Sequence, residues 1–286
     1  MEKVRTMIRT IVRKLLAPFI TGLKWLISKE QVVKLVITYV NPSERFKGHK
    51  VLVTGGTSGI GLACAKAFLA EGAEVLICAR NEDALSKTTS EINSPNLKSM
   101  KWDIGDVKSI PDKLSESVKM MGGDIDVFVN AAGVSAYNGR INDEDVYDYI
   151  VDINTKGLFF MCKAQGEYLR SRNIHGKIVN ITSRGGTSKS FDSYTLSKWG
   201  ANSLTYGLAR MLAPYHINVN GVAPGCVPTN IVKHLQCHMG KENQYYKGHW
   251  IGRFVQPNEI AATVKFLASC EADSIIGQIV AVDGGC

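Results

Sequence analysis

The sequence predicts an α/β fold: one doubly wound parallel sheet of about seven strands, preceded by an amphipathic helical extension. Two observations carry that prediction. From about residue 46 onward, short β-rich runs alternate with amphipathic stretches of helical length. A glycine-rich turn follows directly on the first of those runs and opens a helical stretch. The chain has 286 residues, 45% hydrophobic and 21% charged, which is ordinary for a globular domain and excludes disordered and collagen-like classes. No second domain and no internal repeat is visible.

The first element is the head. Val4, Met7, Ile8, Ile11, Val12, Leu15, Leu16, Phe19, Ile20, Leu23, Leu26 and Ile27 recur at gaps of three and four, one stripe of a helix. Basic residues fill much of the other face, and Pro18 should kink or break the helix. Residues 1–30 carry a net charge of +5, leaving only +3 for the rest of the +8 chain. No uncharged apolar run approaches the roughly 20 residues that span a bilayer. The stretch reads as a peripheral membrane contact, with its apolar face inserted and Trp25 at the interface. A helix packed on its own protein or on a partner, and a cleaved targeting segment, are the alternatives. Residues 31–45 add a further apolar element and a linker, broken at Asn41-Pro42-Ser43. The chain thus divides into an extension (1–45) and a single α/β domain (46–286). The basic excess lies in the head and no nucleic-acid module is evident, so nucleic acid is not an expected partner.

The β-rich runs fall at 50–54, 74–78, 99–103, 126–130, 177–182, 217–223 and 278–282. Helical stretches lie between them at 61–72, 82–92 and 107–121, followed by three longer ones. The seven cysteines, at 64, 78, 162, 226, 237, 270 and 286, are scattered and form no Cys-x-x-Cys pair. They read as reduced thiols of a reducing, cytoplasmic compartment.

The turn Thr54-Gly55-Gly56-Thr57-Ser58-Gly59-Ile60-Gly61 follows the first run. Glycines 55, 59 and 61 allow a tight turn and a close approach of backbone N–H groups to a pyrophosphate, which the helix N-terminus behind them favours. Further on, Tyr194-Thr-Leu-Ser-Lys198 places a phenol and an ammonium on one helix face, one turn apart. A Tyr pKa near 10 is too high for easy cycling at neutral pH, and a neighbouring cation lowers it.

With TGGTSGIG, Asp103, NAAG (130–133), Asn154, NITS ending at Ser183, YTLSK (194–198), PG (224–225) and VDGG (282–285) in this order, the chain resembles the short-chain dehydrogenase/reductase family. The resemblance covers residues 46–286 and implies a Rossmann-type fold. It also implies hydride transfer between a nicotinamide and a ketone or secondary alcohol. By resemblance, Tyr194 is the proton donor, and Lys198 lowers its pKa and holds the nicotinamide ribose. Ser183 binds the substrate oxygen, and Asn154 holds a relay water. Cofactor contacts are expected at Gly55, Thr57, Ser58, Gly59, Ile60, Gly61, Arg80, Asp103, Ile104, Asn130, Ala131, Gly133, Tyr194, Lys198, Pro224, Gly225, Val227 and Thr229. Asp103 sits near the adenine in the family, and its bland reading is a strand-end turn residue.

Cofactor choice turns on the tip of the second run, Ala79-Arg80-Asn81. No acid stands there to bind a ribose 2′-hydroxyl, and Arg80 offers a charged fork to a 2′-phosphate, so NADP(H) is expected over NAD(H). Ser183 and Tyr194 are 11 residues apart, closer than is usual in the family. Their polar loop is expected to reshape the substrate pocket rather than the chemistry. Ser188 and Ser190 are poorer matches for the Ser183 role. The resemblance further implies a homodimer or homotetramer through the helices near 142–172 and 191–213.

His234, Cys237, His238 and His249 fit no standard zinc spacing, and by the family resemblance they fall in the substrate lid. Tyr245, Tyr246, Trp250 and Phe254 are candidates for the substrate mouth. A carbonyl reductase is the leading reading, with a small carbonyl or alcohol as substrate. A 3-oxoacyl-carrier-protein-type reductase is an alternative, in which Arg170, Arg172 and Lys177 meet an acidic carrier. A catalytically idle nucleotide-binding scaffold at a membrane is the other.

Overall fold

The computed structural model describes residues 44–135, 143–232 and 248–285. The expected head helix, the linker through Ser43, and His234, Cys237, His238, Tyr245, Tyr246 and Cys286 lie outside the described residues.

Seven parallel strands form one sheet: β1 (Lys50–Thr54), β2 (Glu74–Ala79), β3 (Leu97–Lys101), β4 (Val127–Asn130), β5 (Lys177–Ile181), β6 (Asn218–Pro224) and β7 (Ile279–Val282). Their order is β3-β2-β1-β4-β5-β6-β7. Among the described residues, seven α-helices connect or cover them: α1 (Gly59–Leu69), α2 (Glu82–Ile92), α3 (Ile110–Met121), α4 (Glu144–Val151), α5 (Leu158–Ser171), α6 (Ser193–Leu212) and α7 (Pro257–Ala268). This is the doubly wound α/β architecture that the alternation predicts.

The two-residue period of the strands divides the core in two. Val51, Val53, Val75, Ile77, Val127 and Val129 point to one face, where Phe68 of α1 and Ile260 of α7 pack. Leu52, Leu76, Cys78 and Phe128 point to the other, against Leu114 of α3 and Leu208 of α6. Both faces are dry, as an all-parallel sheet requires.

One boundary moves. The third run was expected at 99–103, but β3 spans Leu97–Lys101. Leu97 pairs with Val75 and is buried, while Trp102 has left the ladder and only its N–H reaches back to Ala79. The apolar run therefore marks the burial of Trp102, and the strand starts two residues earlier.

The winding puts the site in one place. From β1 the chain steps outward to β2 and β3, then returns to lay β4 against the other side of β1. Beyond the carboxyl ends of β1 and β4 the connections diverge and leave a crevice, the topological switch point of such sheets. Thr54 lies in register with Asn130, so the glycine turn and the Ala131-Ala132-Gly133 turn face each other across it.

Candidate active site

A cleft of about 660 Å³ opens at that crevice, lined by the turns that follow β1, β2, β3, β4, β5 and β6. Its size suits a dinucleotide with a small substrate.

At the glycine turn, Gly59 has φ +52, a left-handed conformation that side chains rarely adopt. At Gly61 the need is space: a Cβ would sit 2.3 Å from the Gly55 carbonyl oxygen. Ser58 caps α1 in extended conformation without a side-chain hydrogen bond, and no acid occupies the first turn. The opening N–H groups of α1 are therefore left to an outside acceptor, which fits the pyrophosphate of a dinucleotide. Thr229 closes the turn from β6: a Cβ on Gly59 would meet its Cγ2 at 2.9 Å.

At the tip of β2, Arg80 lines the cleft, and its Nη2 donates to the Tyr149 hydroxyl at 3.2 Å. The guanidinium also lies over the Tyr149 ring, 5.8 Å from its centroid. Asp103 lines the cleft too, yet its Oδ1 accepts from Gly105 N at 2.9 Å and closes the strand-end turn. Ile104 stands beside it, its carbonyl against the π-helical turn at Gly157.

The catalytic candidates come from three separate segments. Tyr194 and Lys198 ride on α6, which Asp192 starts by accepting from Thr195 N at 2.7 Å. Burial alone would raise the Asp192 carboxyl; hydrogen bonds from Ser190 and Thr195 outweigh it and hold the group below its usual range. Lys198 Nζ lies 5.7 Å from the centroid of the Tyr194 ring and donates to the Ile181 carbonyl at 3.1 Å. Burial pushes the Lys198 ammonium down to about 8. It remains charged at neutral pH, beside the Tyr194 ring.

Ser183 ends the β5 segment in extended conformation, and its Oγ accepts from Gly185 N at 3.0 Å. That bond orients the hydroxyl and leaves its hydrogen for a substrate oxygen. A Cβ on Gly185 would sit 3.4 Å from Ser183 Oγ and 3.6 Å from Tyr194 Cε1, so the two side chains flank one glycine.

Asn154 lies in a π-helical turn, Asp152–Gly157, between α4 and α5. Such wide turns are rare and gather at functional sites. Its Oδ1 accepts from Val134 N, and its Nδ2 donates to Val134 O, both at 2.9 Å, and to Ser197 Oγ at 3.1 Å. A Cβ on Gly133 would sit 3.4 Å from Asn154 Oδ1 and 3.6 Å from Lys198 Nζ. Thus Asn154, Ser183, Tyr194 and Lys198, spread over 45 positions of sequence, converge around two glycines.

Most of the expected cofactor residues line this cleft: Gly55, Thr57, Ser58, Gly59, Ile60, Gly61, Ala131, Gly133, Pro224, Gly225, Val227 and Thr229. Asn130 is different. Its side chain is buried away from the cleft, bonding Gln165 through both its Nδ2 (2.9 Å) and its Oδ1 (2.9 Å), and Asn180 Oδ1 (2.8 Å). Asn180 donates in turn to Thr205 Oγ1. The Asn130 amide therefore braces the sheet against α5 and α6, correcting the expectation of a cofactor contact by that side chain.

Several contributors are not apparent from the sequence. Tyr149 holds Arg80, Ser197 holds Asn154, and Ser135 lines the cleft. Asp192, two residues before Tyr194, carries a legible signal as an acid opening a helix. His249 is buried; its Nε2 accepts from Cys226 N at 3.0 Å and its Nδ1 donates to Arg253 O at 2.8 Å. Both ring nitrogens are engaged by main chain, which takes this histidine away from metal binding. Among the described residues no group of three His, Cys, Asp or Glu could hold a metal ion. Phe254 is fully buried, so it is no mouth residue, whereas Trp250 is 90% exposed. Arg172 pairs with Asp124, Arg170 lies over Tyr215, and Lys177 pairs with Asp273.

Residues 55–286 match the family model described as enoyl-(acyl carrier protein) reductase. A galactitol 2-dehydrogenase from Agrobacterium fabrum is 35% identical, over 84% of this chain and 98% of that protein. The chain belongs to the short-chain dehydrogenase/reductase family. Human dehydrogenase/reductase SDR family member 4 is 34% identical, over 82% of this chain and 86% of its own length. The crystal structure of an actinorhodin polyketide ketoreductase variant with NADPH matches at TM-score 0.74 and 30% identity, covering 82% of this chain and 96% of that one. As a short-chain dehydrogenase/reductase, the protein is an oxidoreductase that takes a nicotinamide cofactor, and the cleft beyond β1 and β4 is where the fold would hold it.

Proposed function

We propose that this chain is an NADP(H)-dependent carbonyl reductase that acts on a ketone, with Tyr194 donating the proton. The observation that carries the reading is the convergence of Asn154, Ser183, Tyr194 and Lys198 at the mouth of an uncapped, glycine-walled dinucleotide cleft. When bound, the nicotinamide supplies the hydride. Ser183 holds the substrate oxygen by its free hydroxyl hydrogen and stabilises the charge that develops there. Tyr194 gives its proton to that oxygen, and the Lys198 ammonium offsets the phenolate left behind. The side-chain amide of Asn154 is engaged by Val134 and Ser197, so the relay water falls to its main-chain carbonyl in the wide π turn.

Arg80 at the β2 tip, steadied by Tyr149 and with no acid beside it in sequence, favours a 2′-phosphate. An NADPH-bound neighbour of the same fold supports this choice. The carrier-protein alternative loses support, because Lys177 opens β5 at the end of the sheet opposite the cleft, and all three basic residues have local partners.

The catalytic domain is assigned to residues 46–286, with 1–45 as a basic extension that touches a membrane surface. Liposome flotation of the full chain against a chain starting at residue 46 tests that assignment, and equal recovery defeats it. Leu196, Trp199, Tyr206 and Met211 are exposed on α6, and Phe159 and Phe160 on α5, an apolar surface suited to pairing with a second copy.

Fluorescence titration with NADPH and NADH tests the cofactor. NADPH binds more tightly, and Arg80→Leu weakens NADPH by about tenfold while sparing NADH. Equal affinities, untouched by the substitution, would refute NADP(H) preference.

A further inference from the structure

The cleft leaves one hydroxyl stranded. Ser135 Oγ is shielded from water and has no hydrogen-bond partner, although Ser135 lines the cleft. A buried hydroxyl in that state costs about 1–3 kcal/mol. Such a cost persists in a fold when a ligand removes it. Ser135 lines the cleft, and rotation about its single Cα–Cβ bond moves Oγ among three staggered positions.

Its neighbours place it beside the chemistry. Val134 exchanges both backbone hydrogen bonds with the Asn154 amide, and Gly133 abuts Lys198 Nζ. Ser135 is the next residue along that wall. Ser188 Oγ, also in the cleft lining, donates to the Arg184 carbonyl at 3.0 Å, which leaves its lone pairs to accept from a ligand. Ser183 is already committed to the reacting oxygen.

Arg184 might suggest an anionic substrate. Its Nε lies 3.4 Å from Asp283 Oδ2, and its Nη1 donates to Thr187 Oγ1 at 2.8 Å. That charge is balanced within the protein, so Arg184 makes no net call for an anionic substrate.

We propose that Ser135 binds a second oxygen of the substrate, on the carbon next to the reacting one, and that the substrate class is hydroxyketones and the vicinal diols they form. The inference rests on the hydride-transfer reading above.

Acetone and hydroxyacetone, compared with wild type, Ser135→Ala and Ser135→Thr, test it. A hydroxyl also activates a neighbouring carbonyl, so the decisive quantity is how the ratio of the two kcat/KM values changes between proteins. In Ser135→Ala the preference for hydroxyacetone over acetone falls by about ten- to a hundredfold. Ser135→Thr, which keeps the hydroxyl, retains the preference. Thermal unfolding checks that both variants are folded. A ratio unmoved in Ser135→Ala, or an equal loss on both ketones, overturns the assignment and leaves the hydride-transfer reading standing. If wild type binds NADPH and reduces neither ketone nor any other carbonyl in a broad panel, the hydride-transfer reading falls, and this proposal with it.

Discussion

At the scale of single residues, the site is built on a charge largely withdrawn from water. Lys198 is 6% exposed, and burial pushes its ammonium down to about 8 from 10.5. The folded chain therefore sheds this proton before the unfolded chain does. Between pH 8 and 10.5 the unfolded state holds more protons, so stability rises with pH across that window. Below pH 8 the whole cost of the buried charge remains, on the order of 3 kcal/mol. Lys198→Met is accordingly expected to be inactive, yet more stable than wild type in urea at pH 7, with the difference closing as the pH approaches 10.5. A variant less stable than wild type at pH 7 would show that Lys198 earns its place by stabilising the fold.

At the scale of elements, a buried amide network joins β4, β5, α5 and α6 through Asn130, Gln165, Asn180 and Thr205. It fixes the helix that carries Tyr194 and Lys198 relative to the strand that ends at Asn130. Asn180→Ala strands donors or acceptors on Asn130 and Thr205, and is expected to cost about 3 kcal/mol in urea unfolding. A loss below about 0.5 kcal/mol would mean that the network is replaceable. This element was not legible in the sequence, because its members lie far apart and meet only after folding. Asn130 read as a cofactor contact for that reason. The glycine turn and the Tyr194/Lys198 pair were legible, since their spacing is local and set by turn or helix geometry. The π turn that holds Asn154, the bond from Gly185 to Ser183 Oγ and the Arg80–Tyr149 contact were not. Each depends on how segments meet, which periodicity does not carry. β3 was read two residues late because Trp102 is apolar for burial and not for pairing.

At the scale of the whole molecule, the sheet order explains why the candidate site residues among those described gather at one cleft. All strands are parallel, so every β-to-α turn lies at one end, and the reversal between β1 and β4 opens the gap between them. The far sides of α5 and α6 remain apolar: Trp199 is 50% exposed and Tyr206 62%. Two copies pairing through these helices would cover that surface. Light scattering is expected to give a dimer or tetramer, and Tyr206→Glu with Met211→Glu to shift it toward monomer without abolishing nucleotide binding. A wild type that is monomeric at all concentrations would remove the pairing.

The central claim is that hydride moves at this cleft and that Tyr194 supplies the proton. Its most direct test uses NADPH deuterated at the transferable position of the nicotinamide, with a ketone that the enzyme reduces. Mass spectrometry of the product alcohol is expected to find the deuterium on the carbinol carbon with wild type. With Tyr194→Phe it is expected to find about a hundredth or less of that product, at unchanged nucleotide affinity. Product without the label, or a Tyr194→Phe enzyme as fast as wild type, would contradict the account.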